Sequence, residues 1–467
     1  MANLDTQKVT YSGLEYKILL LVGDVLLLYT SLWISLVLRY PGQVDLIVFL
    51  EHAQPFTAVY LLWLVLLYLS SLYNLTRIRD WANIYFDLTR ALLLGTIAGI
   101  VIFYILPYSD LTPKRLLVMD AAIFGLLIAI WRAWFIRMFG KYLPINRVAI
   151  IGVNLRSLEL GRELLKRPRS GYQLAALVGD SQQQVSTPPG LENVQVIQNP
   201  YNLLQHIRED NINTLVIAST TLNQALLNRL FEYLPLRIRF YEMADFYEEL
   251  TDKIPVAQLE HAWFLNNIDE TNKQSYDLAK RLIDIVIALT LLVVSFPLMA
   301  VSTLLIVLDS KGPIVYAQKR VGHKNKIFNI YKLRTMIQDA ELAGAQWSQK
   351  NDPRITRVGK WLRRSRLDEI PQLMNILRGD MSLTGPRPER PEFVNDLVSK
   401  VPFYKTRHLI KPGWSGWAQV KFPYGASVQD AFEKLQYDLY YIKHRSFSLD
   451  LSIWIRTVIV VLGFRGR

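Results

Sequence analysis

Cysteine is absent from all 467 residues, which excludes disulfides, thiolate metal sites, thiol nucleophiles and palmitoyl anchors. Histidine is scarce: six residues, at 52, 206, 261, 323, 408 and 444, show no ligand-like spacing. Any metal is therefore expected on oxygen ligands, which favours magnesium. The N-terminus has polar residues up to Gly13 and no short apolar core ending in a cleavage site, so no signal peptide is expected. An excess of negative charge is also missing; the formal net charge is +13. From residue 273 onward, about thirty Lys and Arg stand against about sixteen Asp and Glu. Nucleic acid, anionic lipid and phosphorylated substrates all suit such a surface, and the apolar segments beside it favour the last two.

What is present in quantity is hydrophobic length. The chain is 51% hydrophobic yet 20% charged, a mixture that suits a membrane protein with sizeable water-soluble parts. Four apolar runs, Leu14–Leu38, Pro55–Tyr73, Leu88–Leu106 and Leu116–Phe139, each approach the ~20 residues needed to cross a bilayer. Their charges, Glu15, Lys17, Asp24, Arg90 and Asp120, lie toward segment ends. Helix–helix hydrogen bonding or snorkelling is expected of them. Arg77, Arg79 and Arg90 follow the second run, and Arg132, Arg137, Lys141 and Arg147 close the fourth. The positive-inside rule then puts both ends of this four-helix unit in the cytoplasm.

Residues 146–265 alternate strand-like and helix-like segments. Arg147–Val153, Tyr172–Val178, Val194–Ile197, Thr214–Ala218 and Arg237–Tyr241 read as strands. Ser157–Lys166, Pro200–Glu209 and Leu222–Tyr233 read as helices. That order predicts a doubly wound parallel sheet of Rossmann-like type. The first turn carries Asn154 where a dinucleotide fingerprint needs its second glycine. A structural or regulatory module is the expectation. Residues 266–276 are polar and read as a linker.

A fifth apolar run, 282–308, has Lys280 and Arg281 before it and Lys311, Lys319, Arg320, Lys324 and Lys326 after it. Positive charge at both ends is awkward for a simple span, and Pro297 near the middle removes a backbone donor. A broken helix that enters the bilayer and returns satisfies both facts, with Ser295 available to cap freed backbone groups.

Residues 280–420 then concentrate basic, acidic, glycine and proline positions: KRLID (280–284), DSKGPIVYAQKRVGHKNKIFNIYKLRTM (309–336), DPRITRVGKWLRRSRLDEIPQL (352–373), GDMSLTGPRPE (379–389) and RHLIKPGWSGWAQV (407–420). Asp368 and Glu369 sit among Arg363, Arg364, Arg366 and the downstream Arg387, a surround suited to ionised carboxylates and diphosphate. Alone, SRLDE would read as a helix cap. Lys332 and Arg334 either contact phosphate or hold the Asp352 region by ion pairing. Trp414 and Trp417 suit base stacking or, better, the lipid interface. Ser427 and Asp430 fit a capping box ahead of an apolar stripe, and Leu449–Phe464 reads as an in-plane anchor.

With these motifs in this order, the sequence resembles the polyprenyl-phosphate hexose-1-phosphate transferases, the monotopic phosphoglycosyl transferases of bacterial surface glycan assembly, in their long form. The resemblance implies a multidomain membrane protein: a four-helix transmembrane domain (1–145), a Rossmann-like domain (146–265), a linker, and a mainly α catalytic module (277–467) with a re-entrant helix. It implies transfer of a hexose-1-phosphate, glucose or galactose by default, from a UDP-sugar to undecaprenyl phosphate at the cytoplasmic face of the inner membrane, the first membrane step of exopolysaccharide, capsule or O-antigen assembly. Asp368 would be the nucleophile of a ping-pong reaction, with Glu369 assisting and both carboxylates serving Mg2+. Arg387, Lys332, Arg334, Arg366 and Arg364 would bind phosphate or substrate, and Ser295 and Pro297 would mark the membrane break. Membrane lipids are expected partners and nucleic acid is not; homodimerisation is left open. Asn325 stands where the family tends to glycine, and Phe296 separates Ser295 from Pro297. A glycosyltransferase, which would release UDP, and a non-catalytic scaffold are the rival readings.

Overall fold

The computed structural model describes residues 12–75, 78, 81–105, 114–143, 145–168, 170–179, 189–218, 224–236, 238–256, 259, 261–268, 273–338, 340, 352–422, 425 and 427–462. Two compact units divide at Phe246/Tyr247.

The first unit opens with four long helices, α1 (Ser12–Arg39), α2 (Leu46–Leu69), α3 (Trp81–Ile105) and α4 (Lys114–Phe139). At about 1.5 Å per residue each exceeds the ~30 Å apolar thickness of a bilayer. Helix α2 starts well before the expected Pro55, because Asp45 caps it by accepting from Val48 N at 2.8 Å, and Pro55 lies inside. The acids within these helices bond to groups outside their own helix. Arg132 and Tyr73 donate to Asp24 at 2.5 and 2.7 Å, and Ser31 and Tyr60 donate to Asp120 at 2.6 and 2.9 Å. Asp24, Asp120 and Arg132 are essentially inaccessible; pairing is what makes such groups tolerable away from water.

The same unit holds a five-stranded parallel sheet, β1 (Asn146–Ile151), β2 (Tyr172–Val178), β3 (Gln195–Ile197), β4 (Thr214–Ile217) and β5 (Arg239–Glu242), in order β3-β2-β1-β4-β5. Helices α5 (Leu155–Lys166), α6 (Leu203–Glu209) and α7 (Gln224–Glu232) connect the strands, and α8 (Met243–Thr251) follows. The expected doubly wound order is present. Asn154 caps α5 by accepting from Ser157 N, and its amide donates to Ala218 O at 2.9 Å, tying β1 to β4. That bond lies at the strand-order reversal, where doubly wound sheets usually take ligands.

The second unit runs from Tyr247, so the sequence boundary at 265 falls within it. Ile254 and Val256 belong to a core with Leu435, Leu439 and Ile442, against which Trp263 and Phe264 of α9 (His261–Asn267) pack. Helix α10 (Gln274–Asp309) is 36 residues long, unbroken through Pro297, and almost wholly unburied along its apolar window. It is the fifth helix long and apolar enough to cross a membrane. Ser295 Oγ donates to Leu292 O at 3.4 Å, whereas the carbonyl deprived of a donor by Pro297 is that of Val293, four residues back.

The hairpin β6 (Val315–Val321) and β7 (Ile327–Leu333) follows. Its turn places Lys324 and Asn325 at φ 53° and 61°. Asn325 thus adopts the left-handed backbone a glycine would take, and its side chain also bonds His408 at 2.7 Å. Then come α11 (Arg357–Ser365), α12 (Gln372–Arg378), β8 (Ser382–Thr384), α13 (Pro391–Lys400), β9 (Gly413–Ser415), α14 (Trp417–Lys421), α15 (Val428–His444) and α16 (Phe447–Leu462). The capping box of Ser427 and Asp430 opens α15.

The reading of Trp417 changes, and the last helix gains a role in the core. Trp417 is buried, donates to Asp252 O at 3.2 Å and stacks on Tyr440, so it is core rather than lipid interface or base platform. Helix α16 also serves the core. Ile453 is inaccessible, and buried Asp450 accepts from Thr384, Tyr441, Tyr276 and Lys280.

Candidate active site

Helix α11 begins with Thr356, whose hydroxyl accepts from Gly359 N at 3.0 Å. A β-carbon on Gly359 would stand 2.1 Å from Thr335 O, so only glycine lets α11 approach this closely. The helix stops at Ser365, and Arg366 takes a left-handed backbone (φ 58°, ψ 17°). For a non-glycine residue this costs about 1–2 kcal/mol, a strain that tends to sit at functional positions. Beyond it, Leu367–Glu369 form a single 3-10 turn. Pro371 then enters α12 in helical geometry at the helix start, where its missing N–H costs little.

That turn presents Asp368 and Glu369, each 7% exposed. At about three residues per turn, neighbouring side chains diverge by roughly 120°. Glu369 meets three cations: Oε1 accepts from Lys332 Nζ and Arg387 Nη2, both at 3.0 Å, and Oε2 lies 3.8 Å from Arg366. Lys332 and Arg387 lead the cations that hold the Glu369 carboxyl well below the ordinary range, against the opposing effect of burial. Asp368 makes no hydrogen bond or ion pair among the described residues. Burial first, then the neighbouring Glu369 charge, push its pKa up to about 6.

The predicted phosphate ligands separate. Lys332, Arg387 and Arg366 converge on Glu369. Arg334 does not: it is buried and donates to Ser310 O, Ser310 Oγ, Pro313 O and Ile306 O, closing the C-terminal end of α10. Strand β7 ends at Leu333, so the two-residue alternation that would align 334 with 332 no longer holds. Asp352 pairs instead with Arg354 at 2.6 Å. Arg364 points to solvent. The α11 arginine acting on Asp368 is Arg363, which also donates to Thr335 Oγ1 at 2.9 Å.

Arg387 is carried by an unusual strap. Prolines 386 and 388 offer no N–H, and four successive carbonyls are each held from outside: Pro386 O by Gly413 N, Arg387 O by Arg407 Nη2, Pro388 O by Arg320 Nη1 and Glu389 O by Val321 N, at 2.9, 2.9, 3.1 and 2.9 Å. Gly385 and Gly413 cross so tightly that a β-carbon on Gly413 would lie 2.0 Å from Gly385 N. Arg320 and Arg407 stood in the quoted motifs without an assigned task; nothing local in the sequence shows that they reach this strap.

The fit for a divalent cation is uneven. Among the described residues, no group of three or more His, Asp or Glu is arranged for a metal. Glu369 is already surrounded by cations and is a poor ligand. The unpartnered Asp368 fits magnesium's habit of taking one or two carboxylates beside substrate phosphates.

Five membrane-length helices and a buried carboxylate pair met by Lys and Arg define a class: a membrane protein with a charged, water-poor site in its second unit. Residues 275–464 match the family described as bacterial sugar transferase, and residues 69–240 match one described as CoA-binding domain. The chain is 42% identical over 231 residues to the UDP-N-acetylgalactosamine-undecaprenyl-phosphate N-acetylgalactosaminephosphotransferase of Aeromonas hydrophila, covering 49% of this chain and 54% of that one. It is 40% identical to the UDP-glucose:undecaprenyl-phosphate glucose-1-phosphate transferase of Caulobacter vibrioides, covering 39% and 69%. It is 39% identical to the exopolysaccharide production protein PSS of Rhizobium leguminosarum bv. phaseoli, covering 40% and 96%. This chain belongs to the bacterial sugar transferase family; its match spans about half the length of the Aeromonas relative.

Proposed function

We propose that this protein transfers a hexose-1-phosphate from a UDP-sugar to undecaprenyl phosphate and releases UMP. The observation that carries the reading is the division within the pair: Glu369 engages Lys332, Arg387 and Arg366, while Asp368 beside it is buried and unpartnered. An Asp368 carboxylate oxygen attacks the sugar-bearing phosphorus, and the bond from that phosphorus to the UMP oxygen breaks. The sugar phosphate is then covalently held on Asp368. An oxygen of undecaprenyl phosphate attacks the same phosphorus, and the bond to Asp368 breaks, restoring the carboxylate. Lys332 and Arg387, oriented by Glu369, stabilise charge on the diphosphate. Magnesium, with Asp368 and the diphosphate as its ligands, would neutralise charge and assist UMP departure.

Four spans followed by a re-entrant α10 would keep the catalytic unit with cytoplasmic nucleotide sugars at the inner membrane. The basic flanks at both ends of α10 support that placement. Glucose and galactose are the favoured donors, and the likeness to an N-acetylgalactosamine enzyme puts that sugar on the test panel. The pathway position is the first membrane step of exopolysaccharide, capsule or O-antigen assembly, which the name of the Rhizobium relative supports.

The test is purified protein with magnesium, polyprenyl phosphate and a panel of UDP-sugars. UMP release is expected, while UDP release would indicate a glycosyltransferase. Asp368→Asn should lose both turnover and the covalent phosphosugar adduct. An adduct persisting in that variant removes Asp368 as nucleophile.

A further inference from the structure

Arg407 is 4% exposed and Asp438 2%, and the reaction proposed above uses neither directly. Arg407 Nε and Nη2 donate to Asp438 Oδ2 at 3.1 and 2.8 Å, and Nη1 donates to Tyr404 OH at 2.7 Å. Nη2 also donates to the backbone carbonyl of Arg387 at 2.9 Å. Burying such a pair is costly to assemble and seldom stabilises more than an apolar replacement. Among the described residues its one hydrogen bond beyond Tyr404 is therefore informative: it ends on the residue whose side chain holds Glu369.

Proline on both sides of Arg387 leaves that residue little local hydrogen bonding of its own. With its carbonyl fixed, the backbone at Arg387 has one orientation, and the guanidinium leaves it toward Glu369 Oε1. Without that bond, the peptide following Arg387 could rotate and swing the guanidinium away. A displacement of about 1 Å at a positioning group costs on the order of a hundredfold in rate.

We infer that the buried Arg407–Asp438 pair is a positioning device for Arg387, acting on the reaction only through that residue. The inference rests on the phosphosugar-transfer reading, and UMP release by the wild-type protein tests that reading separately. Lysine at 407 keeps a cation against Asp438 but has one nitrogen and no planar fork with which to span Asp438 and the Arg387 carbonyl together.

The experiment is a double-mutant cycle of Arg407→Lys and Arg387→Ala, read as single-turnover adduct formation in the full-length protein. Arg407→Lys alone should slow adduct formation roughly thirty- to hundredfold. In the Arg387→Ala background the same change should add less than about twofold, because the residue it positions is already gone. Asp438→Asn, which keeps an acceptor oxygen while removing the charge, should fall between wild type and Arg407→Lys and show the same non-additivity. Independent, multiplying effects in both cycles would overturn the inference. So would an Arg407→Lys variant that folds normally and forms adduct at the wild-type rate.

Discussion

Glu369→Gln separates the two causes that raise the Asp368 pKa. Burial, the larger cause, is unchanged by this nearly isosteric swap; the like charge of Glu369, the second cause, is removed. With Asp368 held near 6, its carboxyl is protonated below that pH. Adduct formation should therefore be silent in acid, rise through pH 6 and level off above it. Like charges on neighbouring buried carboxylates repel by about a few kcal/mol at an effective dielectric near 20. Lys332, Arg387 and Arg366 offset much of this while they sit on Glu369. The net shift on its removal should be on the order of one pKa unit, about 1.4 kcal/mol. The direction is downward, because the released cations also favour ionised Asp368. The plateau rate should meanwhile fall tenfold or more, since Lys332 and Arg387 lose the oxygen that orients them. The assay is pre-steady-state adduct formation across pH 4.5–8 at fixed, saturating donor. An acid limb that stays in place, or moves upward, would refute the claim that Glu369 sets the ionisation of Asp368.

Arg366→Gly should keep the turn, retain most activity and melt no lower than wild type, because glycine adopts the left-handed backbone freely and the lost ion pair is long and partly exposed. Arg366→Val should lower Tm below wild type, measurable by thermal unfolding in detergent, because a β-branched side chain tolerates the left-handed backbone less well than arginine does. Arg334→Lys, unable to serve four oxygens at once, should cost about 2 kcal/mol of stability, yet leave UMP release per folded molecule unchanged. A selective loss of rate would return Arg334 to the phosphate site. If α10 re-enters as proposed, Pro297→Leu should favour crossing over re-entry and change the labelling of cysteines placed singly in residues 309–467, in a protein with none of its own. Unaltered labelling would count against re-entry.

The sequence was most readable where one period dominates. Apolar runs gave the four N-terminal helices because bilayer-length hydrophobicity is a coarse signal that tolerates error at the ends. Asp45 shows the error: a capping carboxylate ten residues upstream outranked Pro55 as the start of α2. Alternation of short apolar strands with helices gave the five-stranded sheet. The Asn154 departure from the glycine fingerprint now has a structural use, since its side chain caps α5 and ties Ala218. The carboxylate pair was legible from its basic neighbours, but their individual tasks were not. Lys332 and Arg334 look equivalent in a strand pattern and differ because β7 ends between them. Trp417 reads as interfacial from an amphipathic side chain beside glycines, yet tertiary packing buries it.

The order of the two acids follows from this geometry. Two buried carboxylates in adjacent positions ionise unequally when cations serve them unequally: the acid the cations hold ionises first, and its charge then opposes ionisation of its neighbour. The left-handed Arg366 starts a tight turn in which successive side chains diverge, so cations gathered on one acid do not automatically neutralise the other. Glutamate, one methylene longer, reaches Lys332 on β7 and Arg387 on the proline strap together. Aspartate, held close to its backbone, stays clear of both. Exchanging the pair would place the short acid where reach is needed and the long one where freedom from partners is needed. Asp368→Glu combined with Glu369→Asp should thus retain both charges and still lose adduct formation. Wild-type rates in that exchanged protein would mean that charge alone, rather than reach, defines the site.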